Sequence, residues 1–173
     1  MKIKWGVIGC GGIADRRTLP GMMLADNAEL VAVMDANLEV ANKVKDKYNA
    51  KYAFDKFEDV LALDEIQAVY IASPVFCHKE QAMAAAKAKK HILIEKPMAL
   101  TSEESQEIAD CCKAEGVKLD VELGNMYTKE ITSFGNAIAN DTEPEITAED
   151  AILVQRICEA AYKSSDSKVI SKL

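Results

Sequence analysis

The sequence predicts an α/β fold, a doubly wound parallel sheet followed by two extra helices at the carboxyl end, and three observations carry that expectation. Short apolar runs alternate with stretches of helical periodicity through the first two thirds of the chain. The first run, Ile3 to Ile8, opens directly into a glycine cluster, Gly9, Gly11 and Gly12. The second, Glu29 to Met34, ends on an acidic residue, Asp35. Parallel neighbours need right-handed crossovers, and the segments between these runs suit helical ones.

Composition bounds the reading. At 173 residues, a prior of ~150 residues per domain favours one domain with an appendage, enough chain to bury a proper core. The formal charge is −7 and no basic run carries interleaved aromatics, so neither nucleic acid nor a membrane is an expected partner. Cys10, Cys77, Cys111, Cys112 and Cys158 show no pair at zinc-ligand or redox spacing, and reduced thiols are the simplest account. Glycines and then Asp15, Arg16 and Arg17 interrupt the apolar N-terminus, which reads neither as a signal peptide nor as a membrane span. A cytoplasmic location is the expectation.

In chain order, Ile3, Trp5, Val7 and Ile8 form a buried strand, and Gly9, Gly11 and Ala14 stand at the spacing of the dinucleotide-binding fingerprint. Gly9 permits the tight turn and Gly11 lets backbone touch a pyrophosphate. A helix opening at Gly12 and Ile13 aims unpaired N–H groups at the phosphates. It runs towards Met23, with Pro20 and Gly21 bending or shortening its end. Glu29 to Met34 is the second strand. At its end the Asp35 carboxylate can accept hydrogen bonds from ribose hydroxyls and would repel a 2′-phosphate, and no arginine stands among Ala36, Asn37 and Leu38. NAD is therefore expected over NADP. The competing reading of Asp35 is a helix cap.

Val40, Ala41, Val44 and Tyr48 recur at helical spacing. Lys51 to Phe54 reads as a third strand, Phe57 to Leu63 as a short helix, and Ile66 to Ala72 as a fourth strand. Ser73 and Pro74 follow at the carboxyl edge, where ligands gather in such sheets. Phe76 to Lys90 is an alanine-rich helix with His78 near its start; a lone histidine there is either a ligand contact or a packing and capping group. His91 opens the fifth strand, Ile92 to Glu95, and the charged pair Glu95 and Lys96 is fixed by Pro97. Thr101 and Glu104 read as a capping box for a helix to Lys113, ended by Gly116, and Val117 to Val121 as the sixth strand.

From Lys2 to about Lys118 the motifs GVIGCGGIA, VMD, IASP with His78, and KKHILIEKPMAL stand in order. Together they resemble the Rossmann nucleotide half of the Gfo/Idh/MocA oxidoreductases, the glucose-fructose oxidoreductase and inositol dehydrogenase family. The resemblance implies an NAD-dependent hydride transfer with a sugar or polyol as substrate. It assigns catalysis to Lys96, beside the nicotinamide, and places the cofactor against Gly9, Gly11, Gly12, Ile13, Asp35, Ser73, Pro74, His78, Glu95 and Lys96. An ammonium there can polarise or stabilise a developing alkoxide; the bland alternative is a surface lysine in a tight turn. Where members commonly carry an asparagine after the proline, Val75 stands here.

From Gly124 onward the chain resembles the family's closing helices, so the nucleotide half, 1–120, is followed by a helical segment, 121–173. The family's substrate-binding sheet is lacking, the junction lies near Lys118 to Glu122, and the histidine that sheet would supply has no candidate. Tyr127, Ile131, Phe134 and Ile138 make one apolar stripe, broken at Asn140 and Asp141. Thr147 and Asp150 cap a second helix with a broad apolar face of Ala151, Leu153, Val154, Ile157, Cys158 and Ala161; the tail from Ser164 reads as frayed. Both helices are expected to pack on the nucleotide domain or to swap into a partner subunit of a homo-oligomer. Two function classes stand: an oxidoreductase with cofactor site and Lys96 intact, and a cofactor-binding module without turnover, an internally truncated remnant of such an enzyme being one form of it.

Overall fold

The structure is a computed structural model that describes residues 2–122 and 127–168. Six strands, β1 (Ile3–Ile8), β2 (Ala28–Met34), β3 (Tyr52–Phe54), β4 (Ala68–Ile71), β5 (His91–Glu95) and β6 (Leu119–Glu122), form one sheet of order β3-β2-β1-β4-β5-β6. Every neighbouring pair is parallel. The order reverses at β1, the point at which ligands enter doubly wound sheets. Strand ends differ from the sequence reading by a residue or two, while the bonding continues: Lys51 N donates to Val31 O at 2.9 Å and Ala72 N to Ile8 O at 2.8 Å.

After the glycine cluster a π-helical turn, Ala14–Thr18, runs without a break into α1 (Leu19–Met23). The helix therefore does not stop at Pro20. The widened turn precedes the proline, which has no N–H to give to residue 16, and Leu19 N bonds to Ala14 O instead of to a carbonyl four back. The other helices are α2 (Leu38–Tyr48), α3 (Phe57–Leu61), α4 (Val75–Lys87), α5 (Ser102–Glu115), α6 (Tyr127–Asn140) and α7 (Ala148–Ser167).

Two apolar layers sandwich the sheet. On one face Ile8, Val69, Ile71, Ile92 and Ile94 meet α3, α4 and α5; on the other Trp5, Val7, Val33, Tyr70 and Leu93 meet α1, α2 and α6. Ile131 and Phe134 of α6 are fully buried, the Phe134 ring lying 6.0 Å from Trp5. Close approach of α6 needs glycine at Gly21, where a Cβ would stand 2.7 Å from that of Tyr127. Asn27 Nδ2 adds bonds to Thr132 O at 2.8 Å and Asn136 Oδ1 at 3.0 Å. Asp141, at φ 51°, ends the helix where the sequence breaks it.

Three expectations need correction. The capping box at α5 is not reciprocal: Thr101 accepts from Glu104 N, but the Glu104 carboxylate takes Leu100 N rather than Thr101 N. The apolar face of α7 points outward, with Leu153, Val154 and Ile157 about half exposed. Its inward face carries Ile152, Gln155 and Glu159, because α5 offers it hydroxyls: Gln155 Oε1 accepts from Ser105 Oγ, and Glu159 accepts from Ser102 N and Oγ at 2.7 Å each. Finally, Ser164 does not begin a frayed tail. The helix continues to Ser167 and closes with Lys168 in the left-handed region, while the expected start of the closing segment at Gly124 lies outside the described residues.

Candidate functional site

The carboxyl ends of β2, β1, β4 and β5 bring the predicted residues to one edge. Gly9 N and Cys10 N both donate to Met34 O, at 2.9 and 2.8 Å, so the chain turns sharply out of β1 against the end of β2. Gly9 has φ +80°, and a Cβ on it would meet Ser73 N at 2.5 Å; only glycine lets the two loops touch. Beside it Asp35 is half-buried and bridges two elements. Its Oδ2 accepts from Gly11 N at 3.2 Å and its Oδ1 from Asn37 N at 3.0 Å. The cap of α2 is Asn37, whose Oδ1 accepts from Glu39 N. The capping reading of Asp35 therefore fails: the carboxylate holds the glycine loop, and each oxygen keeps a lone pair for a further donor.

Above this loop the surface is open. Gly12 is exposed, sits at φ +56°, and a Cβ there would meet nothing within 4 Å. Ile13 is half-buried at the opening of the helix. A pyrophosphate needs such a cradle, with backbone approachable on its open side and a helix N-terminus behind it. Cys10 is buried between the glycines, and burial first, then the Asp35 charge, pushes its thiol up to about 12; it is no thiolate nucleophile at neutral pH.

At the other end of the edge Glu95 is buried and Lys96 and Pro97 are exposed. Ser73 is half-buried, with its hydroxyl on Gln81 Oε1, and Pro74 is exposed at the start of α4. His78 is 2 % exposed. Its Nε2 lies 2.9 Å from Ser73 O and its Nδ1 3.1 Å from Pro97 O, so the ring sits between the loop after β4 and the loop after β5, each neutral tautomer donating to one of the two carbonyls. Val75 takes part in α4 and leaves its position without a side-chain hydrogen bond donor. Two sizeable hollows, of 640 and 320 Å³, lie away from this edge, between α5 and the α6–α7 connection and at the amino ends of the strands.

Sequence reasoning missed two members of the site's underside. Thr18 and Tyr70 are both fully buried, and Thr18 Oγ1 donates to the Tyr70 hydroxyl at 2.9 Å. That hydroxyl donates to Glu95 Oε1 at 2.9 Å, and Glu95 Oε2 accepts from Lys96 N at 3.1 Å. In the run IQAVYIA, Tyr70 reads as one more apolar strand residue. The available signal was that a buried tyrosine hydroxyl must find a partner.

The glycine turn, the acidic strand end and the Glu-Lys-Pro loop thus share one edge, and the oxidoreductase family described as an NAD-binding Rossmann fold matches residues 3–123. The chain belongs to the Gfo/Idh/MocA oxidoreductases. Within this family it is 38 % identical over 117 residues to a scyllo-inositol 2-dehydrogenase (NADP(+)) of Bacillus subtilis, covering 68 % of this chain and 35 % of the relative. It is 33 % identical over 138 residues to a glucose-6-phosphate 3-dehydrogenase of the same organism, covering 80 % of this chain and 38 % of that one. Among solved structures, the WlbA dehydrogenase of Bordetella pertussis, in complex with NADH and UDP-GlcNAcA, superposes with TM-score 0.67 at 30 % identity, over 81 % of this chain and 42 % of that one. The chain spans between about a third and two fifths of the length of these relatives. Gfo/Idh/MocA membership gives residues 3–123 the family's NAD-binding Rossmann fold. No helix among the described residues is long and apolar enough to cross a membrane.

Proposed function

We propose that this chain binds a nicotinamide dinucleotide along the carboxyl edge, with adenosine ribose on Asp35, pyrophosphate over Gly11, Gly12 and Ile13, and the nicotinamide half towards Ser73, Pro74 and Lys96. The observation that carries the reading is the pairing of Asp35 with Gly11 N beside an open, exposed Gly12. Three strand steps separate the ends of β2 and β5, ~14 Å at the usual strand spacing, and an extended ligand suits that span.

NAD is preferred over NADP. The Asp35 carboxylate would face a 2′-phosphate with like charge, and the residues that follow it, Ala36, Asn37 and Leu38, bring no cation. Relatives bearing NADP in their names make this a discriminating claim.

The reaction class is hydride transfer with the hydroxyl carbon of a sugar or polyol. When bound, the cofactor supplies the hydride acceptor. Lys96 Nζ, exposed at the end of β5, holds the substrate oxygen by hydrogen bonding, assists its proton transfer and stabilises the charge that develops on it. His78 and Glu95 act from beneath, holding the loops that carry the site. The buried Cys10 thiol takes no part. Positioning and water exclusion account for ~7 kcal/mol or more of barrier lowering where they are complete, so the chain alone is expected to bind cofactor with little turnover.

Titration of NADH fluorescence tests the reading. Saturable binding, with a weaker NADPH curve, is expected; properly folded protein that shows neither binding nor a rise in melting temperature with dinucleotide overturns it. A polyol screen at high protein concentration then separates the two function classes. Turnover lost in Lys96→Ala identifies an enzyme, and binding without turnover identifies a cofactor module.

A further inference from the structure

Beneath the edge, two buried polar side chains that the cofactor reading leaves unused, Thr18 and Tyr70, form with Glu95 a continuous chain of hydrogen bonds. Thr18 belongs to the helix that opens at the glycine cluster, Tyr70 to β4 and Glu95 to the end of β5. All are buried, and the donors run in one direction: Thr18 hydroxyl to Tyr70 hydroxyl, Tyr70 hydroxyl to Glu95 Oε1. The second Glu95 oxygen receives Lys96 N at 3.1 Å. A buried carboxyl group is costly unless its oxygens are satisfied, and here, among the described residues, the Tyr70 hydroxyl of β4 serves one oxygen and the backbone N–H of the next residue, Lys96, the other.

We propose that Glu95 is a positioning residue, held by Tyr70 and through it by Thr18, that sets the Lys96 loop against the nicotinamide half of the cofactor. The inference rests on the cofactor placement proposed above. Its geometry joins the two ends of that site: Thr18 lies in the helix behind the pyrophosphate cradle, and Glu95 grips the backbone of the residue assigned to the hydroxyl. Substitutions at this chain disturb one end. Tyr70→Phe keeps the ring in the core and deprives Oε1 of its donor. Glu95→Gln keeps the shape, but with Oε1 of the amide on Lys96 N its NH₂ faces the Tyr70 hydroxyl, which must then accept where it donated and turn its own proton towards Thr18, reversing the chain of bonds and removing the charge they serve. Asp35, Gly11 and Gly12 remain untouched in both.

Binding of ADP, which carries only the adenosine and diphosphate, is compared by calorimetry with binding of NADH for the wild type, Tyr70→Phe and Glu95→Gln. The expected result is NADH affinity lowered roughly five- to tenfold in both variants, with ADP affinity unchanged within about twofold. Tyr70→Trp, which overfills the core, serves as the comparison for general destabilisation. NADH and ADP weakened in parallel would mean that the chain of bonds merely holds the fold, and unchanged affinity for both would mean that it holds nothing relevant; either overturns the proposal. A wild type that binds ADP but gains nothing from the nicotinamide half overturns it too. A wild type that binds neither ligand removes the cofactor reading itself, and this inference with it.

Discussion

Gly12 and Gly9 stand three residues apart and do different work. Gly9 has both a left-handed backbone and a neighbour that a Cβ would strike, Ser73 N at 2.5 Å. Gly12 has the left-handed backbone, φ +56°, and open space. Gly9→Ala is therefore expected to lower stability by ~2 kcal/mol or more, and Gly12→Ala by only about 1 kcal/mol. The Gly12 variant should nonetheless lose NADH affinity at least tenfold, because its methyl group occupies the face a phosphate would approach. Melting curves and an NADH titration on the same samples check both. Asp35→Ala is expected to weaken NADH more than NADPH, narrowing the ratio between them, and competitive titration reads that ratio directly. The fingerprint spacing made these residues legible in the sequence. It did not reveal that Asp35 holds Gly11 N and leaves the cap of α2 to Asn37, since both residues are good caps and only the direction of the side chains decides.

At the scale of the elements, β1 to β6 lie within a residue or two of where the apolar runs place them, because the central strands, covered by helices on both faces, must be almost wholly apolar; the edge strands are less so, β3 being half-buried and β6 carrying Asp120. The orientation of α7 was not legible. Its most apolar face, read as a core face, looks outward, and its polar residues face α5. Periodicity reports an amphipathic face but not the chemistry of the surface that receives it, and here that surface carries Ser102 and Ser105. Glu159 thereby becomes a cap supplied from another helix: its carboxylate takes Ser102 N at the first turn of α5, where negative charge is favoured. Glu159→Ala is expected to cost about 1–2 kcal/mol and to speed amide exchange across 148–167 while leaving β1 to β5 protected. Hydrogen exchange with mass spectrometry distinguishes this local release from a global loss.

For the molecule as a whole, the most consequential titration lies far from the proposed cofactor contacts. Asp120 on β6 is 4 % exposed, and burial, reinforced by Glu130 and Glu145, pushes its carboxyl up to about 7 although Val121 N donates to it. The folded chain then holds a proton that the unfolded chain releases near its usual pKa of 3.8. Stability attributable to this group accordingly falls as pH rises between about 4 and 7, by up to ~1.4 kcal/mol per pH unit, and is flat on either side. Asp120→Asn, which retains the acceptor for Val121 N, should flatten that slope and raise the melting temperature at pH 8 relative to the wild type. A variant that melts with unchanged pH dependence would assign the slope to other groups. Dinucleotide at a hundred times its dissociation constant should add ~2.7 kcal/mol to the folded state, a shift visible in the same instrument.

Taken alone, the sequence determined the layered sheet, the glycine turn after β1, the acidic end of β2 and the Glu-Lys-Pro loop, because each is a local pattern: period, spacing, or a residue type with one conformational use. Tertiary structure alone decided that His78 spans two loops, that Thr18, Tyr70 and Glu95 are linked, and which side of α7 is inward. Apart from His78 to Ser73, five positions away, those are contacts between residues 19 to 57 positions apart, and no local preference of either partner specifies them. They follow from the sheet order, which carries the ends of β1, β4 and β5 side by side and leaves buried polar groups to find one another.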